Sequence, residues 1–314
     1  MSAESGGVSD GVASGRPVSP GRLAWRRFRR HRLALVGVVI LLVITVACVL
    51  APLLTRYGPN DLIRIDGVKA TLRSPQARFW LGTNERANDV WSTVLYGGRV
   101  SLAVGIAVAG VSSLFGTVVG VAAGWFGGWI DNVLMRITDL FLALPFLVAA
   151  IMLSQAPATQ SWARVVFGPP NSIRSVVVVI ALVFWMPVAR ILRGLVLSLK
   201  EKEFVEAARA AGAGDLRIIL RHLVPNCSGQ IVVNTTLSVS AAILTESALS
   251  YLGYGVDGVT TPTWGNLLNR AQGYIQPHPN LLLGPGLAVI FTVLCINFVG
   301  DALRDALDPA QVQK

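Results

Sequence analysis

Cysteine and histidine, the side chains that most often hold metals or carry covalent chemistry, are scattered along this 314-residue sequence. The cysteines are Cys48, Cys227 and Cys295, and the histidines are His31, His222 and His278. They form no CxxC pair and no cluster with metal-ligand spacing. No nucleophile–base arrangement stands out within the apolar runs, which argues against an intramembrane enzyme. The sequence therefore predicts buried free thiols, no metal site and no catalytic residue.

The composition indicates the environment in which these residues lie. Hydrophobic residues make up 53% of the chain and charged residues only 14%, and the mean hydropathy is +0.59; soluble domains have about 25% charged residues. The net charge is +10, but the basic residues cluster beside apolar runs, a pattern typical of membrane topology and anionic lipid rather than of nucleic acid. We therefore predict an all-α polytopic membrane protein in contact with the lipid bilayer.

Six charge-poor runs are each long enough to cross a bilayer, which takes about 20 helical residues. They cover approximately 33–54, 100–124, 132–153, 175–197, 226–247 and 281–300. The first follows the basic stretch RLAWRRFRRHR and exceeds the roughly 7–15 apolar residues of a cleavable signal peptide, so an uncleaved helix is preferred to a signal peptide or a twin-arginine export signal. The predicted organisation is a disordered basic tail (1–32), a first transmembrane helix (33–54), an extracytoplasmic loop (55–98), a transmembrane core (99–305) and a C-terminal tail (306–314).

Charge placement predicts the orientation. Seven arginines precede the first run and five basic residues follow the fourth, whereas the loops after the third and fifth runs carry two and one. Because positive residues accumulate on the cytoplasmic side, both termini and the connection at 200–225 are expected inside. The loop at 55–98 mixes several basic and acidic residues and fits the rule less well.

The connection after the fourth run contains an unusual stretch, EFVEAARAAGAGDLRIILRHLVPN, from Glu203 to Asn226. Ser198 is predicted to cap a short helix whose early glutamates suit its dipole. Gly212 is predicted to end that helix in a left-handed conformation. A second short helix is then capped by Asp215 and ended by Pro225.

The first short helix offers a small-residue face, because alanine favours helix while adding little bulk. Ala207 and Ala208 let another protein approach closely, and Phe204 and Val205 are predicted apolar anchors for it. The alternative is an ordinary interfacial helix lying on lipid headgroups.

The same stretch resembles the EAA loop of ABC-importer permease subunits, whose pattern is EAA, three residues, Gly, nine residues, then I-x-L-P. The matching positions are Glu206, Ala207, Ala208, Gly212 and Pro225. His222 replaces the isoleucine, as is usual in the dipeptide/oligopeptide/nickel branch, and Val224 replaces the leucine.

Other segments are similar to that branch, and the resemblance runs from about Arg22 to Ala310. They are GWFGGWIDNVLMRITDLFLALP, ESALSYLGYGV, PTWGNLL and NFVGDALRDALDP. One region departs: LGTNERANDVWST has Asn84, Ala87 and Asn88 where the branch usually has Asp, Gly and Arg. This leaves the details of external gating or docking open.

The resemblance implies a type I ABC-importer permease fold with six transmembrane helices and a cytoplasmic EAA coupling helix between the fourth and fifth. The implied partners are a second homologous permease subunit, two cytoplasmic ATPase subunits and an extracytoplasmic substrate-binding protein, in a bacterial cell membrane. The chain has no GxxxxGK[ST] phosphate loop, so ATP and Mg²⁺ are expected on the partner ATPases and no cofactor on this chain.

The cargo implied by the resemblance is a peptide, with nickel chelates or another small solute as alternatives. A secondary transporter is the rival class, but it would be expected to carry ionisable residues in mid-span, and these are nearly absent. Arg136 and Asp139, three residues apart, are predicted to pair as a structural or pore element. Pro187 is predicted to kink the fourth span, and Glu246 to cap the fifth.

Overall fold

The computed structural model describes residues 20–307. The predictions of a disordered tail before residue 20 and of a cytoplasmic tail after residue 307 concern residues outside the described part of the chain. Within it, helices make up most of the structure.

Long helices form a bundle. Five are long and apolar enough to span a membrane: α2 (Arg32–Val49), α4 (Val90–Phe126), α8 (Ile173–Leu199), the continuous stretch Asp215–Tyr251 that contains α11 (Val224–Tyr251), and α13 (Asn280–Leu307). Their apolar composition explains both their formation and their length.

The third predicted span is broken. It consists of α5 (Gly128–Leu142) and α6 (Phe146–Thr159), which meet at 94°. Pro145 stands immediately before α6. It has no N–H to continue the hydrogen bonds of α5, and the residue before it, Leu144, is disfavoured from helical backbone angles. The described chain thus has five spans, or six if the bent pair counts as one.

Short elements connect the spans. They are α1 (Pro20–Phe28), α3 (Ala51–Leu54), α7 (Ser161–Phe167), α9 (Glu203–Ala210), α10 (Asp215–Ile218), a π-helical turn (Ile219–Leu223), α12 (Trp264–Ala271), a 3₁₀ turn (Gln272–Tyr274), and a two-stranded antiparallel hairpin of β1 (Arg64–Ile65) and β2 (Val68–Lys69). The hairpin belongs to the segment 55–89, which leads into the first turn of α4, whereas α9 lies against the last turn of α4. Since α4 is about 55 Å long at 1.5 Å per residue, the hairpin segment and α9 lie at opposite ends of the bundle.

The most extensive helix contact joins α4 and α8. Gly116, Gly120 and Gly124 on α4 face the α8 backbone, and a Cβ added at Gly124 would come within 2.9 Å of the Arg193 carbonyl. Small residues at four-residue spacing let helix backbones approach closely in membranes. This close contact fixes the end of α8 from which α9 emerges.

The segment that departs from the family pattern forms a tight buried turn before α4. The Asn84 side-chain oxygen accepts the backbone N–H groups of Arg86 (3.0 Å) and Asn88 (2.9 Å), and the Asn88 amide donates to the Asp61 carbonyl (3.0 Å). Ala87 is fully buried at φ +64°, in the left-handed region that favours glycine. The three substitutions therefore lie in an internal turn that shapes the segment, with their side chains turned away from the surface.

Candidate functional site

The beginning of α9 differs from the sequence prediction. Ser198 belongs to α8, where its hydroxyl donates to the Leu195 carbonyl at 2.8 Å, and Lys202 is the residue that precedes α9. The predicted cap at Ser198 is therefore wrong, because α8 extends to Leu199 before the chain turns. Glu203 and Glu206 still occupy the first turn and Arg209 the last, which is the favourable arrangement for the helix dipole.

The end of α9 is a left-handed cap at Gly212, as predicted. Gly212 has φ +79°. Its N–H donates to the Arg209 carbonyl at 2.9 Å, and the Ala213 N–H donates to the Ala208 carbonyl at 3.0 Å. These two hydrogen bonds form a Schellman motif. A Cβ added at Gly212 would meet nothing within 4 Å, so the glycine is required by the backbone and not by crowding.

The apolar side of α9 faces the chain's own core. Val205 is fully buried in a cluster that includes Ile218, Leu223 and Cys227, and Ala208 packs partly against the same cluster. The prediction of Val205 as an anchor for another protein is therefore wrong. Val205 instead fastens α9 to α8 and to the start of α11.

Two ring contacts hold α9 from other directions. The Arg209 guanidinium lies 4.8 Å from the ring centre of Trp125 at the end of α4, a cation–π distance. The Phe204 and His222 ring centres are 6.4 Å apart, and Phe204 keeps about a third of its surface exposed. Neither Arg209 nor Trp125 was singled out from the sequence, because no local pattern joins positions so far apart.

The opposite side of α9 is exposed and small. Glu206, Ala207, Ala210, Ala211 and Gly212 are all exposed. The Glu206 carboxylate has no hydrogen bond or ion pair with any residue of the described range 20–307. Beside this face an open concavity of about 580 Å³ is bordered by Gly212, Asp215, Leu216 and Leu220.

Leu216 and Leu220 are the apolar groups that this surface presents, with 69% and 60% of their area exposed. They were not singled out from the sequence, although their spacing of four residues places them on one helical face. We call the exposed residues of α9 together with Gly212, Leu216 and Leu220 the α9 surface.

The chain leaves the α9 surface through a continuous helix. Asp215 is the first residue of α10 and makes no side-chain cap, and Gly214 is the residue that precedes the helix. The prediction that Asp215 caps this helix is therefore wrong. Pro225 does not end the helix either, because a π-helical turn precedes it and α11 follows directly. In that wider turn Val224 donates to the Ile219 carbonyl, five residues back, which accommodates the proline without the usual clash.

Two ion pairs connect α5 to α8. The Arg193 guanidinium donates to both carboxylate oxygens of Asp131, each at 2.5 Å. Asp139 pairs with Arg190 rather than with Arg136, which is exposed and makes no ion pair within residues 20–307. The predicted Arg136–Asp139 pair is wrong because α8 lies alongside α5 and presents Arg190 to the carboxylate.

Two further predicted residues lie on spanning helices, Glu246 buried on α11 and Pro187 exposed on α8. The Glu246 carboxylate is fully buried and accepts hydrogen bonds from Ser101 (3.0 Å) on α4 and Ser250 (2.7 Å). Pro187 lies within α8, which continues through it as one helix, so the kink there stays a prediction. The three cysteines are free and buried, as expected.

The sequence matches two protein families. Residues 116–313 match the family described as binding-protein-dependent transport system inner membrane component, and residues 19–72 match the N-terminal transmembrane domain of oligopeptide transport permease C.

Similar proteins include three permeases from bacteria. A putative peptide transport system permease protein of Brucella abortus is 38% identical over 294 residues, covering 93% of this chain and 92% of the relative. The dipeptide transport system permease protein DppC of Bacillus subtilis is 37% identical, covering 91% and 84%. The oligopeptide transport system permease protein OppC of Mycobacterium tuberculosis is 36% identical, covering 92% and 94%.

The fold is also similar to that of a solved transporter. A chain of the MetNI methionine ABC transporter, in inward-facing conformations, aligns with a TM-score of 0.51 and 20% identity. The alignment covers 68% of this chain and 96% of that chain. At this identity the likeness concerns the fold alone.

Proposed function

This chain belongs to the family of binding-protein-dependent transport system inner membrane components. From that premise we propose that the cargo is a peptide and that the α9 surface couples this chain to a cytoplasmic ATPase. The chain is the permease subunit of an ABC importer and forms part of the translocation pathway. ATP and Mg²⁺ are bound by the ATPase partners, and this chain carries no catalytic group of its own.

The direction in which α9 faces carries the coupling proposal. A helix lying on lipid turns its apolar side toward the membrane and its polar side toward water. Here the apolar residue Val205 points into the protein, while Glu206 and Ala207 face outward. That arrangement suits a docking surface for a second protein better than it suits a lipid-bound helix.

The anchoring of α9 suits mechanical transmission. Val205 joins it to the core around α8 and α11, and the contact between Arg209 and Trp125 joins it to α4. A push or pull on α9 is therefore passed to three spans at once. Because α9 is only about 12 Å long, it buries less than the roughly 800 Å² per partner of a standard interface, so Leu216 and Leu220 add needed apolar contact.

The assembly follows from this assignment. With α9 facing the cytoplasm, the hairpin segment 55–89 at the other end of the bundle is extracytoplasmic, where a substrate-binding protein delivers cargo. A second, similar permease subunit completes the translocation pathway, and two ATPase subunits bind the cytoplasmic side of the pair. Both termini of this chain are cytoplasmic. The expected location is the bacterial cell membrane.

The peptide assignment rests on the relatives, three of which are named as peptide, dipeptide or oligopeptide permeases. Nickel chelates and other small solutes are the alternative cargo. The assay is ATP-dependent uptake into vesicles that contain the whole importer, with labelled di- and oligopeptides in one arm and nickel in the other. Uptake of nickel but not peptide would overturn the peptide assignment.

Site-specific crosslinking tests the coupling surface. A photoreactive residue at Ala207 or Leu216 is expected to crosslink to the ATPase in the assembled importer, because both side chains are exposed on the α9 surface. The same probe at Val232, which is exposed on α11 away from that surface, is the control and should not crosslink to the ATPase. Crosslinking of Ala207 and Leu216 to lipid alone would refute the docking role.

A further inference from the structure

A groove between α2, α4 and α13 lies at the end of the bundle opposite α9. Its volume is about 500 Å³. The floor is formed by buried residues, Cys48, Val94, Leu95 and Trp264, while Val43 and Leu287 on its rim are exposed. The indole N–H of Trp264 already donates to the Val94 carbonyl at 3.0 Å, so the floor presents essentially hydrocarbon. A groove of this character in spanning helices fits an apolar chain.

A separate cleft beside the groove is basic and aromatic. It is bordered by Arg56, Arg78 and Trp80, and it shares Trp91 with the groove. Arg78 donates to the Tyr57 hydroxyl at 3.1 Å, and both arginine side chains are exposed. The Arg56 guanidinium has no hydrogen bond or ion pair with the described residues, so it is available to an outside anion.

Three further features of this cleft bear on its ligand. The ring centres of Trp80 and Trp91 are 5.5 Å apart, and Trp80 is 65% exposed; tryptophans concentrate at the membrane–water interface. The Trp91 indole N–H is buried with no acceptor among residues 20–307. Asp89 also borders the cleft, and one of its oxygens caps α4 through Ser92 at 2.9 Å. The two arginines outnumber this single carboxylate.

We propose that groove and cleft together form a binding site for one phospholipid, with an acyl chain in the groove and the phosphate against Arg56 and Arg78. An amphiphile matches an apolar groove beside a cleft with two arginines, and guanidinium groups suit phosphate geometry. An anionic headgroup is preferred over a zwitterionic one, because each basic residue near the surface attracts anionic lipid. A helix of a partner subunit would fill the groove but would leave the arginines without a role.

The experiment measures lipid bound to the intact importer after purification and exchange into mixed vesicles of phosphatidylglycerol and phosphatidylcholine. Ala288→Phe fills the groove from α13 and is expected to remove the bound lipid whatever its headgroup. Ile290→Phe, an exposed position on the same helix that does not line the groove, is the matched control and should retain it.

The charge arm uses the double variant Arg56→Gln and Arg78→Gln. It is expected to keep a lipid but to lose preference for phosphatidylglycerol by about five-fold for each arginine removed. Arg73→Gln, an exposed arginine of the same segment, is the control. Unchanged preference in the double variant would overturn the headgroup site even if Ala288→Phe failed to assemble.

A photoreactive probe at Ala288 decides between occupants. Crosslinking to lipid supports the proposal, and crosslinking to the second permease subunit overturns it. None of these results depends on whether α9 docks an ATPase, so the two proposals fail independently.

Discussion

The left-handed cap at Gly212 makes a quantitative prediction about coupling. A residue other than glycine at φ +79° costs about 1–2 kcal/mol in the backbone, and an added Cβ would touch nothing within 4 Å. In the Gly212→Ala permease without bound ATPase, we expect the loop to leave the left-handed conformation and so to relieve this strain. Docking requires the left-handed cap again, so the strain energy is subtracted from the binding free energy. The affinity for the ATPase should then fall about 5- to 30-fold, since 1.4 kcal/mol corresponds to a factor of ten.

Asparagine provides the matched control, because it visits the left-handed region more easily than alanine. Gly212→Asn should therefore bind the ATPase more tightly than Gly212→Ala, although its side chain is larger. Gly212→Asp keeps the backbone tolerance but adds a carboxylate to the α9 surface, and we expect it to abolish uptake while the subunit still inserts. The assay is ATPase binding to the permease in lipid nanodiscs, with vesicle uptake in parallel. If asparagine were as damaging as alanine or worse, side-chain bulk and not backbone strain would control docking.

Three further predictions concern stability. Asp131→Asn weakens the partly buried bidentate ion pair with Arg193 and should lower the free energy of unfolding by about 2 kcal/mol. Asp139→Asn weakens the half-exposed pair with Arg190 and should lower it by less than about 1 kcal/mol. Thermal unfolding in detergent compares the two variants. In the same measurement Ala87→Val should destabilise the chain by about 3 kcal/mol, because a branched side chain is strained at positive φ and is too large for the buried space around Ala87. Ala87→Gly should be nearly neutral. The backbone N–H of Val259 and the hydroxyl of Thr260 donate to the Asp257 carboxylate and lower its pKa. The ionised carboxylate therefore stabilises the folded chain fully above about pH 4, and this stabilisation is lost as the pH falls further. Proteolysis of the loop after α11 should rise in acid, and less so in Asp257→Asn.

Local features of the bundle could be predicted from the sequence. Spans such as α2 and α13 follow from apolar composition alone, because lipid requires long uncharged helices with internally satisfied backbones. The cap at Gly212 also follows from local chemistry, since only the glycine adopts positive φ without strain at the end of an alanine-rich helix. The spacing from Glu206 to Pro225, together with the four other similar segments, indicates the family.

Contacts between distant positions could not be predicted in the same way. The pairing of Asp139 with Arg190 joins residues 51 positions apart, so the nearer candidate, Arg136, was preferred. The stripe of small residues at Gly116, Gly120 and Gly124 indicates a close helix contact once it is noticed, but not which helix it meets.

The orientation of α9 shows most clearly what only the tertiary structure decided. The sequence determined that a short helix with alanines, an early glutamate and a final glycine interrupts the spans, because these are properties of consecutive residues. The apolar cluster around Val205 decided which side of that helix is free, because burying one valine among residues from three separate helices removes its surface from water. The sequence of an eight-residue helix does not decide which of its faces is exposed. Packing against a core buries one face, and the residues of that core come from distant parts of the chain.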